Sequence, residues 1–136
     1  MRALALALVL LPGLALAEDT PPQPAADPPM TPEAFERFVE GRTMDTHDQT
    51  GRYGVETFLP GRRAIWRDAE QCLEGSWRPQ GEMICFDYQG VDTPFCWTYH
   101  DRGGWLMAWL DGNREAAPIM LYPAEEVVTC EGYFGV

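Results

Sequence analysis

Between Tyr53 and Leu110, apolar and polar side chains alternate with a period of two, in segments of strand length rich in aromatic and β-branched residues. Turn formers interrupt the alternation at Pro60-Gly61, Asp68-Ala69, Pro79-Gln80, Gly90-Val91-Asp92 and Gly103-Gly104. Folding the chain back symmetrically at each interruption predicts an antiparallel meander of six strands. One face then collects Tyr53, Val55, Thr57 and Leu59, then Ala64 and Trp66, then Leu73, Gly75 and Trp77. It continues through Ile84, Phe86 and Tyr88, then Phe95, Trp97 and Tyr99, and ends with Leu106, Ala108 and Leu110. The opposite face receives Glu56, Arg63, Arg67, Glu74, Asp87, Thr98 and His100. A slip of one residue inverts a whole strand, so this register is a demanding expectation.

Ahead of the meander the period is that of a helix. In TPEAFERFVEG, Thr31 is placed to cap, Pro32 suits the first helical position, Glu33 and Glu36 lie near the positive end, and Gly41 closes the element. Phe35, Phe38 and Val39 form one apolar stripe, too short to stand alone and therefore a cover for the sheet. Residues 44–51, MDTHDQTG, read as a polar loop, and Ile119 with Leu121 suggests one further short strand. The expected fold is mainly β (α+β): a six- to seven-stranded antiparallel meander, able to close partly into a barrel, with one short N-terminal helix.

The first residues add a compartment. Arg2, an apolar run from Ala3 to Leu16 and Ala15-Leu16-Ala17 have the three-part form of a cleaved signal peptide over 1–17. The run is too short to span a bilayer, and Pro12-Gly13 breaks it, so no membrane insertion is expected after cleavage. Residues 18–30 hold five prolines and read as a disordered tether; residues 31–136 form the single domain. The expected destination is the periplasm or the exterior.

The four cysteines lie at 72, 85, 96 and 130. The register sets Cys85 directly opposite Cys96, where antiparallel Cα atoms stand about 4.5 Å apart, within reach of a disulfide. An even count in an exported chain reads as a bridge framework, and Cys85–Cys96 with Cys72–Cys130 is the favoured pairing. The rival joins Cys72 to Cys85 and Cys96 to Cys130. Spacings of 13, 11 and 34 residues match neither zinc nor redox motifs, which need close pairs.

Charge narrows the partners. Twenty-one acids face ten arginines with no lysine, a net charge of −11 that repels phosphate and makes nucleic acid a poor partner. Asp45, His47 and Asp48 are metal-ligand types, but a solvated loop explains them, and no metal or cofactor is expected. Glu56, Glu74 and Asp87 share a face with Arg63 and Arg67, which points to cross-strand ion pairs before catalysis. The only serine, Ser76, sits in a strand with no nucleophile elbow around it, so no catalytic residue is assigned. Trp105, Met107 and Trp109 project from the second face, as a ligand-binding patch with His100 or as a small second core closed by residues 119–134.

The run GSWRPQGEMICFDYQGVDTPFCWTYHDRGG resembles small exported alphaproteobacterial proteins whose families carry no assigned activity. There a G-x-W strand precedes an I/L-C-F/W strand, then a second Cys before an aromatic strand and a turn. FVEGRT, the YG-x-E-x-FLPGRR-x-x-W segment and a Cys near a Gly-Val end extend the resemblance over residues 31–136. Gly75–Trp77 is also similar to the G-x-W of lipocalins and small β-barrel protease inhibitors, although the strands counted fall short of an eight-stranded barrel. The functional expectation is a non-catalytic cell-envelope module that binds a protein or a small apolar ligand. The alternative is an inhibitor or a minor hydrolytic enzyme using acidic residues near His100.

Overall fold

The computed structural model describes residues 26–133. The expected signal peptide (1–17), residues 18–25 of the tether and residues 134–136 lie outside the described residues. Helix α1 (Pro32–Val39) leads into β1 (Thr43–Asp48), β2 (Gly51–Leu59), β3 (Arg63–Asp68) and β4 (Cys72–Gln80). There follow β5 (Met83–Tyr88), β6 (Phe95–Asp101), β7 (Leu106–Leu110) and β8 (Ile119–Ala124). Each strand pairs antiparallel with the next, and β8 returns to β1, closing an eight-stranded barrel.

The meander and its single short helix match the sequence pattern; the strand count is larger. The additional strand is β1, which lies in the segment read as a polar loop. Its Met44 and Thr46 are buried within the barrel, while Asp45 pairs with Arg52 at 2.8 Å and His47 meets the Tyr122 ring at 5.1 Å. Because β1 is paired on both sides, all eight strands lose their free edges.

From Ala64 to Leu110 the inner face is the expected one, with Ala64, Trp77, Ile84, Phe86, Tyr99, Leu106 and Ala108 in the core. Strand β2 is inverted relative to expectation. Leu59 opposes Arg63, so Pro60, Gly61 and Arg62 form a three-residue loop in which Gly61 and Arg62 both take positive φ, 79° and 58°. A two-residue turn at Pro60-Gly61 would set Phe58 against Arg63. The extra residue brings Glu56 and Phe58 inside and sends Val55 and Thr57 to the outer wall.

Those outward residues are covered by the C-terminal tail. Val128 packs on Val55 and Ile65 with Leu59, Cys72 and Cys130 around them. The Val128 N–H donates to Thr57 Oγ1 at 3.0 Å, and the Tyr133 hydroxyl donates to the Asp68 carbonyl at 2.9 Å. The Cys72–Cys130 disulfide ties the tail down, with Cα atoms 5.5 Å apart. Cys85 and Cys96 are direct partners across β5 and β6, with Cα atoms 4.0 Å apart, and form the second disulfide. This is the favoured pairing.

Helix α1 closes one end of the barrel. Thr31 Oγ1 accepts from the Ala34 N–H at 3.2 Å, as a cap should. Phe35 and Val39 are wholly buried, and Phe35 meets Phe58, Trp77 and Tyr99, which come from three different strands. Arg62, in the loop between β2 and β3, grips Glu36 through two bonds of 2.9 and 3.1 Å and lies over Trp77. Asp27 and Met30, at the end of the segment expected to be a disordered tether, are held as well. Asp27 binds Arg102 through two bonds of 2.8 Å and Arg114 at 2.9 Å, and the Met30 N–H donates to the Tyr99 carbonyl.

Candidate functional site

The barrel end opposite α1 is hollow. An eight-stranded barrel is just wide enough to be filled by side chains or to hold one small ligand. Here a cavity of about 220 Å³ remains between the strands. Two glycines shape it. A Cβ on Gly54 would stand 2.1 Å from the Trp66 ring, and one on Gly75 would stand 2.4 Å from the Asp87 carbonyl oxygen and 2.8 Å from the Tyr88 ring. Both rings therefore lie against bare backbone.

The walls are mainly aromatic. Trp66, Phe86, Tyr88, Phe95, Trp97 and Tyr99 line the cavity, with Leu73, Ile119 and Leu121 between them. The β1–β2 register shifts between Thr46 and His47, and the bulge brings Tyr53 alongside Trp66, centroids 5.6 Å apart. At the mouth the Trp66 indole N–H donates to Asp68 at 2.8 Å, which fixes the ring's orientation. Tyr53 and Phe95 are partly exposed, 39% and 43%, so the entrance presents aromatic surface beside the Asp68 carboxylate.

Besides Asp68 and Gln71 of the lining, two buried polar groups break the apolar wall. Glu56 projects from β2 and is 5% exposed; its one side-chain hydrogen bond among the described residues comes from the Tyr88 hydroxyl. Thr46 stands diagonally across from it on the same inner face, 2% exposed, and its Oγ1 has no partner among the described residues. Among the described residues no Arg or His lines the cavity. Burial without a cationic partner pushes the Glu56 carboxyl from 4.5 up to about 7, against the opposing pull of the Tyr88 bond. Burial likewise holds the Tyr88 and Tyr99 phenols well above the usual tyrosine range.

This carboxyl is expected to make stability depend on pH. The native state keeps a proton that the unfolded chain releases between 4.5 and about 7, so stability falls as pH rises through that window. Above about pH 7 the loss is about 3 kcal/mol. Glu56→Gln is expected to raise the unfolding free energy by up to about 3 kcal/mol near about pH 8 and to change it little near about pH 4. Urea midpoints at the two pH values test this; a variant weaker than the parent at the higher pH contradicts it.

The residues singled out from the sequence lie elsewhere. His100 is on the outer wall, 2% exposed, with Nδ1 3.4 Å from Asp27 and Nε2 3.3 Å from Arg114. Its ring meets Trp109 edge-on at 5.1 Å, and Arg114 lies 3.7 Å above the indole. Trp109 is thus 7% exposed and covered by an arginine, not an open patch. Trp105 packs separately, against Tyr122 at 5.3 Å. Asp27 is drawn far below the usual carboxylate range by Arg102 and Arg114, which suits a structural anchor and not a proton acceptor for His100.

The expected cluster of outer carboxylates is broken up: Glu56 is inside, Asp87 pairs with Arg78 at 3.1 Å, and Arg67 rests on Tyr133. Among the described residues no three His, Cys, Asp or Glu side chains gather as a metal site requires. The lumen aromatics were placed on the inner face by the pattern but read there as packing. Thr46 and Glu56 were missed, and Phe58 was the available signal, since a large apolar side chain was left on the supposedly polar face of β2. No family model matches this chain, and neither a curated protein nor a solved structure matches it significantly.

Proposed function

We propose that the protein is an exported, non-catalytic binding module of the periplasm or the exterior, and that its barrel lumen holds one small, largely apolar ligand. The observation that carries this reading is the aromatic-walled cavity of about 220 Å³, closed at one end by α1 and open at the other. The two disulfides support an oxidising compartment, in keeping with the leader-like start of the chain. Trp66 and Trp97 line the lumen and report on occupancy through their fluorescence.

Titration with 2-naphthol, a flat neutral probe of suitable size, is expected to give saturable one-to-one binding with a change in tryptophan emission. Leu73→Trp, which fills the lumen from β4, is expected to weaken binding by about tenfold or more, as overpacked sites exclude ligands. Circular dichroism verifies that the variant is folded. Equal binding by a folded Leu73→Trp protein would place the probe outside the barrel and end the reading.

A further inference from the structure

Resting on that reading of the lumen, we infer that the natural ligand is a small organic ammonium ion, held by the Glu56 carboxylate within the aromatic wall and assisted by Thr46 Oγ1. Three observations converge on this class. Glu56 is an ionisable group deep in an apolar barrel, a placement that costs free energy and that the fold does not offset with any arginine. A ligand cation supplies the missing partner. Phe86, Tyr88 and Tyr99 lie together beside the carboxylate, and the negative faces of such rings favour a cation over a neutral group of the same shape. Thr46 Oγ1, buried and unpartnered, has lone pairs to accept a second N–H from the same ammonium.

The mouth agrees with the interior. Asp68 stands at the entrance, and the net charge of −11 attracts cations and repels anions. A carboxylate-bearing ligand would bring a second negative charge against Glu56 in a site with no basic residue. A neutral alcohol could bond to Glu56 but would gain nothing from the rings. The other titratable groups lining the cavity are the phenols of Tyr53, Tyr88 and Tyr99, held protonated to high pH by burial, and Asp68, whose desolvation is outweighed by the Trp66 and backbone N–H bonds that hold its carboxyl below the usual range. Glu56 is therefore the group whose charge changes near neutrality.

Three naphthalene probes of nearly equal size test the charge: 1-naphthylmethylamine, 1-naphthalenemethanol and 1-naphthoate. The amine stays protonated up to about pH 8, so any change in its affinity below that belongs to the protein. The expected order at about pH 8 is amine tighter than alcohol by about tenfold or more, with naphthoate weakest. Amine affinity should fall about tenfold for each pH unit below about 7, as the carboxylate that binds it becomes protonated. Glu56→Gln should abolish that pH dependence and bring amine and alcohol level. Tyr88→Phe removes a donor that favours the ionised carboxyl, so it should move the midpoint to higher pH. If the alcohol binds as tightly as the amine, or the amine is indifferent to Glu56→Gln, the ammonium assignment fails while the lumen remains a binding site. If no probe binds, both fall.

Discussion

Phe35→Ala is expected to lower the unfolding free energy by about 3–5 kcal/mol, the range for removing a buried aromatic ring. The ring has no exposed surface and joins three strands, with centroids 5.8 Å from Phe58, 5.2 Å from Trp77 and 4.4 Å from Tyr99. Helix α1 has eight residues, too few for helical propensity to hold it in place, so its docking rests on Phe35 and Val39. Removing Phe35 leaves a cavity that the closed barrel cannot collapse to fill, because its strands are tied to one another around the full circle. Phe35→Leu, which keeps most of the volume, should cost less than half as much. Urea titration with an unchanged slope measures both. A Phe35→Ala cost near zero would show that α1 is not part of the cooperative unit, and that the barrel closes without its plug.

The contrast between β2 and the strands after it explains what was legible in the chain. From Ala64 to Leu110 the hairpins connect strands whose inner residues are mostly large and apolar, so period two alone sets their faces. In β2 both faces are apolar, because Val55 lies under the tail while Phe58 lies in the core. Alternation then carries no information, and the loop length decides. Arg62 at positive φ is uncommon for a residue with a side chain, so a two-residue turn at Pro60-Gly61 is the simpler inference and the incorrect one. Glu56 was placed outside for that reason alone.

A different obscurity hides β1. Its inward Thr46 is polar and lines a cavity, and its outward Asp45 and His47 are ordinary loop residues, so no hydrophobic period marks the strand. Its second pairing depends on β8 arriving from 73 or more residues later along the chain, a pairing that no local pattern announces. The candidate site follows the same logic. Six aromatic side chains pointing inward are the composition of a packed core; that they leave a lumen depends on how the rings seat, Trp66 against the bare backbone of Gly54 among them. Close approach of a ring to bare backbone is a property of the assembled barrel. It has no signature in the sequence beyond the glycines themselves.

Cys72→Ser with Cys130→Ser is expected to cost about 4 kcal/mol, more than the roughly 3 kcal/mol for the Cys85/Cys96 pair, because loop-closure entropy grows with the span closed. The two bridges close 58 and 11 residues respectively. The longer bridge also does more in the native state. It holds Val128 over Val55 and Ile65, outward-facing residues that the tail keeps 5% and 8% exposed. Without it the tail is left with the Val128 packing, the Arg67–Tyr133 contact and hydrogen bonds from the Val128 N–H and the Tyr133 hydroxyl, each bond contributing about 1 kcal/mol, against the entropy of ordering several residues. The double variant should therefore show tail amides exchanging quickly while those of β4 to β7 stay protected. Ligand binding should survive wherever the barrel is folded, since neither Cys72 nor Cys130 lines the lumen. A smaller loss for this pair than for Cys85/Cys96 would mean that the tail adds little to the fold, and that Val55 and Ile65 tolerate exposure.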